Sequence, residues 1–237
     1  MKKRRPNGAK TEQVILGLML ISASLFARPM DLRSSNLENA HVQRAPTLLV
    51  PVGADRLLSR NCAVTSSTLT PEVGELAYIT DGNKDAAAND ADNMVKLGTG
   101  LQWVQLDLGS TQNVYGVCIW RHHHLPRIYR DVVVQLSNDA SFTNAVTTIF
   151  NNDHDNSSGF GMGNDKEYIE WNMGRCIPVA GIAARYVRVY SNGRYLEGGV
   201  LEADSANYYT EVEIYGGTPS SQETTVLAID IPRPEFL

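Results

Sequence analysis

The sequence predicts an all-β fold, a β-sandwich built from short antiparallel strands. Three observations predict it. Several stretches alternate apolar and polar residues with a period of two, the mark of half-buried strands. These stretches are rich in Tyr, Val, Ile and Thr, which suit a pleated surface. Gly- and Asn-containing turns separate them, and no helical period is visible apart from a possible turn at residues 139–142.

The elements follow in chain order. Residues 1–27 open with Lys2, Lys3, Arg4, Arg5 and Lys10, and residues 14–26 read VILGLMLISASLF before Ala27. A basic start, a short apolar run and a small residue at the cut describe a signal peptide. The run is shorter than the roughly 20 residues that span a bilayer. Residues 28–47 are polar without period and read as a linker. Residues 48–216 carry the strands. Residues 102–108, QWVQLDL, place Val104, Leu106 and Leu108 on one face and Gln105 and Asp107 on the other. Residues 114–120 form a longer apolar run. In 129–136, YRDVVVQL, Val132, Val134 and Leu136 are in phase. In 185–190, Val187 and Val189 alternate with Arg188. In 209–215, Val212 and Ile214 alternate with Glu211 and Glu213. Residues 217–237, punctuated by Gly, Pro, Ser and Thr, read as a linker or tail.

The chain has 237 residues, 21 Lys+Arg and 26 Asp+Glu. The first 27 carry five of the basic residues and one acid, so the remainder has 16 and 25, a net charge of -9. That balance disfavours nucleic acid and anionic membranes as partners. The three cysteines are Cys62, Cys118 and Cys176. Cys118 lies in an apolar strand and reads as a buried thiol, and a Cys62–Cys176 bridge is open to an exported chain.

Three constellations carry chemistry. Asp81-Gly82-Asn83 is a turn signal that also offers oxygens two residues apart, with Glu211 able to close a cation site. Arg121-His122-His123-His124, then Arg127, Tyr129 and Arg130, combine hydrogen-bond donors with aromatic faces, which suits sugar hydroxyls and the apolar C–H face of a sugar ring. His122 and His124 can share a face, and His154 is the obvious third ligand for a zinc ion. Residues 151–159, NNDHDNSSG, resemble a cation loop, but Ser158 stands where an EF-hand needs Gly. No GxSxG, HExxH or phosphate-loop motif is present, which points away from an enzyme.

Residues 61–67 (NCAVTSS), 79–83 (ITDGN), 102–109 (QWVQLDLG), 184–189 (ARYVRV) and 210–216 (TEVEIYG), in this order, resemble the discoidin family, the type C domain of coagulation factors five and eight. The resemblance covers residues 48–216. It implies a jelly-roll sandwich of about eight main antiparallel strands with ligand loops at one end, similar to the family-32 carbohydrate-binding modules. It also implies a structural Ca²⁺ held at Tyr78, Asp81, Asn83, Ala86, Thr210 (through its carbonyl) and Glu211. Ala86 departs from the family, which has a threonine hydroxyl there. By region, it implies ligand binding by Arg121, His122, His124, Arg127 and Tyr129, with residues 151–164 and 192–207 as further walls.

The function expected on this basis is an exported, secreted or periplasmic, non-catalytic carbohydrate-binding domain, an accessory of a glycan-degrading system. The alternatives are an adhesion or scaffold domain binding a protein, a module of a larger glycoside hydrolase, or a hydrolase using His124 or His154 as base.

Overall fold

The computed structural model describes residues 36–38, 47–85, 93–196, 200–201, 205–220 and 223–230. The expected signal peptide, Ala86 and most of the first linker lie outside these residues. Fifteen strands form along the described chain: β1 (Thr47–Pro51), β2 (Arg56–Leu57), β3 (Ala63–Ser66), β4 (Val95–Leu97), β5 (Leu101–Trp120), β6 (Arg127–Tyr129), β7 (Val133–Ser137), β8 (Thr147–Asn151), β9 (Ile169–Glu170), β10 (Arg175–Asn192), β11 (Arg194–Leu196), β12 (Val200–Leu201), β13 (Asn207–Tyr209), β14 (Glu211–Gly216) and β15 (Thr224–Ala228). A 3-10 turn, Leu76–Thr80, precedes the Asp81-Gly82 turn where the sequence suggests a strand.

The main sheet runs β2-β14-β5-β10-β7-β8, with β3 also paired to β5. All its pairings are antiparallel. The two apolar runs expected as separate strands are one strand, β5, whose register with β10 slips around residues 107–114. The reverse holds for residues 129–136. They split into β6 and β7 because Asp131 takes a left-handed backbone, φ 50°, which ends one strand and turns the chain into another sheet.

The expected phase of the strands decides the core. Val104, Leu106, Val187, Val189, Val134, Leu136, Val212 and Ile214 are buried together, with Val95, Leu97 and Tyr209 from β4 and β13 packed among them. A second sheet, β12-β11-β6-β9, takes in the strand that follows the 121–124 histidine loop, and β13 pairs with β4.

The opposite face of the main sheet is covered by an antiparallel ribbon. β1 pairs with β15, so a strand forms within the segment read as a tail. Leu48 of the ribbon drops onto Gly116, where any Cβ would lie 2.0 Å from a Leu48 methyl. Under the ribbon, Leu48, Val50, Trp120, Tyr215 and Ile229 enclose a disulfide between Cys118 and Cys176. This corrects the cysteine reading. Cys118 is not a buried thiol, and Cys176 pairs with it rather than with Cys62, because β5 and β10 place Cys118 and Cys176 directly opposite each other. Cys62 is the free cysteine, half-buried.

Candidate functional site

β5 ends at Trp120, which is in register with Glu211 at the start of β14. The Thr210 N–H also donates to the Trp120 carbonyl at 3.0 Å. The histidine loop after Trp120 and the Thr210-Glu211 pair therefore sit at one end of the sandwich, so both expected sites meet there.

Arg121 is the floor of this end. It is fully buried, its guanidinium stacked between the rings of Tyr129 (4.6 Å) and Tyr209 (4.4 Å). Its Nη1 donates to Ser191 Oγ at 3.0 Å. Ser191 in turn donates to Asn207 Oδ1 at 2.7 Å, and Asn207 Nδ2 donates to the carbonyls of Gly98 and Gly100, 2.9 Å each. A buried charge requires such compensation. Arg121 and Tyr129 thus shape the loop from below. Burial pushes the Tyr129 hydroxyl up to about 12, so it stays neutral.

Strand register builds a polar face above this floor. β6 pairs Arg127 with Glu170 of β9, and Tyr129 with Arg194 of β11. Side chains two apart on a strand share a face, so Arg127, Tyr129, Glu170 and Arg194 lie on one side. Ile128, Ile169 and Tyr195 lie on the other, in an apolar cluster of their own. Arg194 stacks 3.9 Å over the Tyr208 ring, and its Nη1 lies 3.4 Å from His122 Nδ1. His122 sits 5.5 Å from Tyr208 and 6.2 Å from His124, ring to ring. Burial first, then Arg127 and Arg194, hold the His122 imidazole down at about 3, so it is neutral at physiological pH. Its Nε2 is buried with no hydrogen-bond partner among the described residues. His123 turns away and contacts the Arg121 carbonyl at 2.9 Å, whereas His124 is exposed.

Sequence reasoning names Arg121, His122, His124, Arg127 and Tyr129, and the structure brings these together. It misses Glu170, Arg194 and Tyr208 as individuals. The only sequence signal is the position of the last two within or just beyond the 192–207 wall. His154 lies in the 151–159 loop, and Glu167 feels its charge. Among the described residues no cluster joins it to His122 and His124 as metal ligands.

The second expected site lies around Glu211. Its Oε2 accepts the Gly82 N–H at 3.0 Å. The Asp81 carboxylate caps the Asn83 N–H at 2.7 Å, and Asn83 Oδ1 accepts from the Asp85 N–H at 3.1 Å. Burial pushes the Glu211 carboxyl up to about 8, with Glu213 and Asp81 adding to the shift. Glu211 Oε1 and Thr210 Oγ1 are buried without a hydrogen-bond partner among the described residues. The buried, unpartnered Glu211 Oε1 near the Asp81 carboxylate fits a hard, oxygen-seeking cation. Tyr78 stands in the preceding 3-10 turn.

The 151–159 loop carries a further acidic group. Oxygens of Asp131, Asp153 and Asp155 lie within 4.8 Å of one another. They accept hydrogen bonds from Ser157, Ser158 and Asn192, which accounts for the cluster as a closed turn. A separate groove of about 370 Å³ runs along the edge strand β8, lined by Thr148, Phe150, Asn151, Phe160, Met162 and Asp165. Asn151, Phe160 and Met162, from the 151–164 segment expected as a further wall of the ligand site, line it, whereas Arg121, His122, His124, Arg127 and Tyr129 do not.

No protein-family model matches the chain, and no curated protein matches it. Solved structures similar to it are carbohydrate-binding modules and lectin domains. Chitosan-binding module 1 of the chitosanase/glucanase from Paenibacillus sp. IK-5 is 21% identical over 68% of this chain and 99% of that one, with a TM-score of 0.46. The lectin domain of lectinolysin, complexed with Lewis B antigen, is 19% identical over 69% and 98%, with a TM-score of 0.45. A CBM32 module produced by Clostridium perfringens, in complex with GlcNAc-α-1,4-galactose, is 17% identical over 68% and 94%, also at 0.45.

Proposed function

We propose that the chain is an exported, non-catalytic carbohydrate-binding domain whose ligand sits at the histidine-loop end of the sandwich. The observation that carries this reading is the buried polar group that strand register assembles from Arg127, Glu170 and Arg194, with His122 and Tyr208 packed against it and the exposed His124 and Trp171 at its rim. Guanidinium and imidazole groups donate to sugar hydroxyls, a carboxylate accepts from them, and an aromatic ring packs on the sugar's apolar face. The exposed His124 and the 41%-exposed Trp171, next to Glu170, stand at the surface of this end, where a ligand would arrive. The disulfide accords with an oxidising compartment.

A structural Ca²⁺ belongs to the same proposal. Asp81 and Glu211 would hold it, with Asn83 and the Thr210 carbonyl as neutral oxygen donors. When bound, it supplies positive charge to a carboxylate pair that is otherwise crowded.

A glycan array tests the binding reading. The wild-type domain is expected to bind a discrete set of glycans. His124→Ala, a change at an exposed position, is expected to weaken that binding about tenfold, which corresponds to about 1.4 kcal/mol. Absence of glycan binding by the wild type, together with recovery of one protein partner in a pull-down, sinks the proposal in favour of a scaffold domain.

A further inference from the structure

The Lys84 ammonium joins the 81–85 loop to the ribbon that closes the chain. It donates to Glu213 Oε1 at 2.8 Å and to the Asp230 backbone carbonyl at 2.9 Å, and it lies 4.9 Å over the Trp120 ring. Both charged side chains are almost wholly buried, 9% and 4% exposed. Glu213 Oε2 accepts the Tyr215 hydroxyl at 2.7 Å. Tyr215 and Trp120 belong to the cluster on which Leu48, Val50 and Ile229 of the ribbon region rest. Lys84 therefore reaches out of the loop, across the sheet, to the residue just past β15.

The same loop carries Asp81, Gly82 and Asn83, and Gly82 is tied to Glu211. Only Asn83 separates Gly82 from Lys84. Glu211 and Glu213 alternate with Val212, which is in the core, so both carboxylates project from the same face of β14. One grips the loop backbone, and the other grips the loop's lysine.

We infer that the 81–85 loop is a latch: a cation held at Asp81 and Glu211 fixes the loop, and the loop, through Lys84, fixes the β1–β15 ribbon. β1 pairs with β15, Thr47 opposite Ala228, so a hold on Asp230 next to β15 reaches both strands of the ribbon. Without the cation the Gly82–Glu211 hydrogen bond alone ties the loop to that carboxyl, the loop opens more readily, and the ribbon loses the hold that Lys84 has on the Asp230 carbonyl. The ribbon is the part of the fold suited to open locally, since it is two-stranded and half exposed. The inference rests on the calcium reading and extends it from the site to the chain ends.

Amide hydrogen exchange on the full chain tests it, with calcium binding followed separately by calorimetry. In the wild type, replacing Ca²⁺ by EGTA is expected to speed exchange in β1 and β15 about tenfold, an opening free energy lowered by about 1.4 kcal/mol, while β5 and β10 stay protected. In Lys84→Met, the ribbon is expected to exchange fast with or without Ca²⁺, although Ca²⁺ still binds. The double variant Lys84→Met/Glu213→Leu removes both charges and is expected to behave the same way without leaving a buried carboxylate unpaired. A ribbon whose exchange still follows Ca²⁺ in either variant overturns the latch. So does a wild-type ribbon indifferent to Ca²⁺ that calorimetry shows to be bound. Absence of any Ca²⁺ binding overturns the latch and the calcium reading together, and the calorimetry alone identifies that case.

Discussion

Saturating Ca²⁺ is expected to raise the stability of the domain, and Glu211→Gln is expected to abolish the rise. A ligand that binds only the folded state stabilises it by the logarithm of its saturation. At a concentration about 1,000 times the dissociation constant this amounts to about 4 kcal/mol. For a domain of this size, that moves the melting temperature upward by about 10 °C. The physical origin is local. Glu211 is 1% exposed and crowded by Glu213 and Asp81, and its Oε1 meets no donor among the described residues. A divalent cation compensates the cost of burying the Glu211 carboxylate and satisfies the orphan oxygen in one step. Glutamine removes the charge but keeps the shape, so its own stability stays close to that of the metal-free wild type. The measurement is differential scanning calorimetry with Ca²⁺ and with EDTA. Equal melting temperatures in the two conditions, or a full rise in Glu211→Gln, contradict the assignment.

Reducing the Cys118–Cys176 disulfide lowers stability by about 4 kcal/mol. The bridge closes a span of 58 residues, and the loss follows from the extra freedom an uncrosslinked chain of that length gains when unfolded. The native state adds little to the loss, because β5 and β10 remain paired in register on both sides of the cysteines. The effect therefore shows in the midpoint of urea unfolding of oxidised against reduced protein, with a modest change in slope. A loss below about 1 kcal/mol would mean that the unfolded chain already keeps these two strands together.

The two strands also show why some of the fold was legible in the sequence and some was not. Period-two alternation correctly phased Val104, Leu106, Val187, Val189, Val212 and Ile214, because burial on one face selects side chains residue by residue. The same logic failed at residues 129–136, since no hydrophobic pattern marks the left-handed backbone of Asp131. The ribbon strand β15 was hidden for another reason. Its partner β1 lies some 180 residues away, at the far end of the domain, and an exposed, Thr-rich strand resembles a linker until that partner is known. The cysteine pairing likewise depends on register, which spacing cannot supply.

The histidine-loop end was legible as a region. Arg121, His122, His124, Arg127 and Tyr129 stand out by residue type and closeness in sequence, and they do converge. Their division of labour was not legible. Nothing in the sequence separates the buried, tyrosine-stacked Arg121 from Arg127 on the polar face, and Glu170 and Arg194 join that face only through pairing with β6. The Asp81 and Glu211 pairing was legible through the family resemblance, whereas Lys84, one turn further on, carries no motif.

The central claim is that the glycan lies on the Arg127–Glu170–Arg194 face beneath the histidine loop. Nuclear magnetic resonance titration of the isotope-labelled domain with a glycan found on the array tests it most directly. The account predicts amide shifts concentrated at residues 121–127, 170–171, 194–195 and 207–209. Shifts concentrated instead at residues 148–165, along the β8 groove, would contradict it.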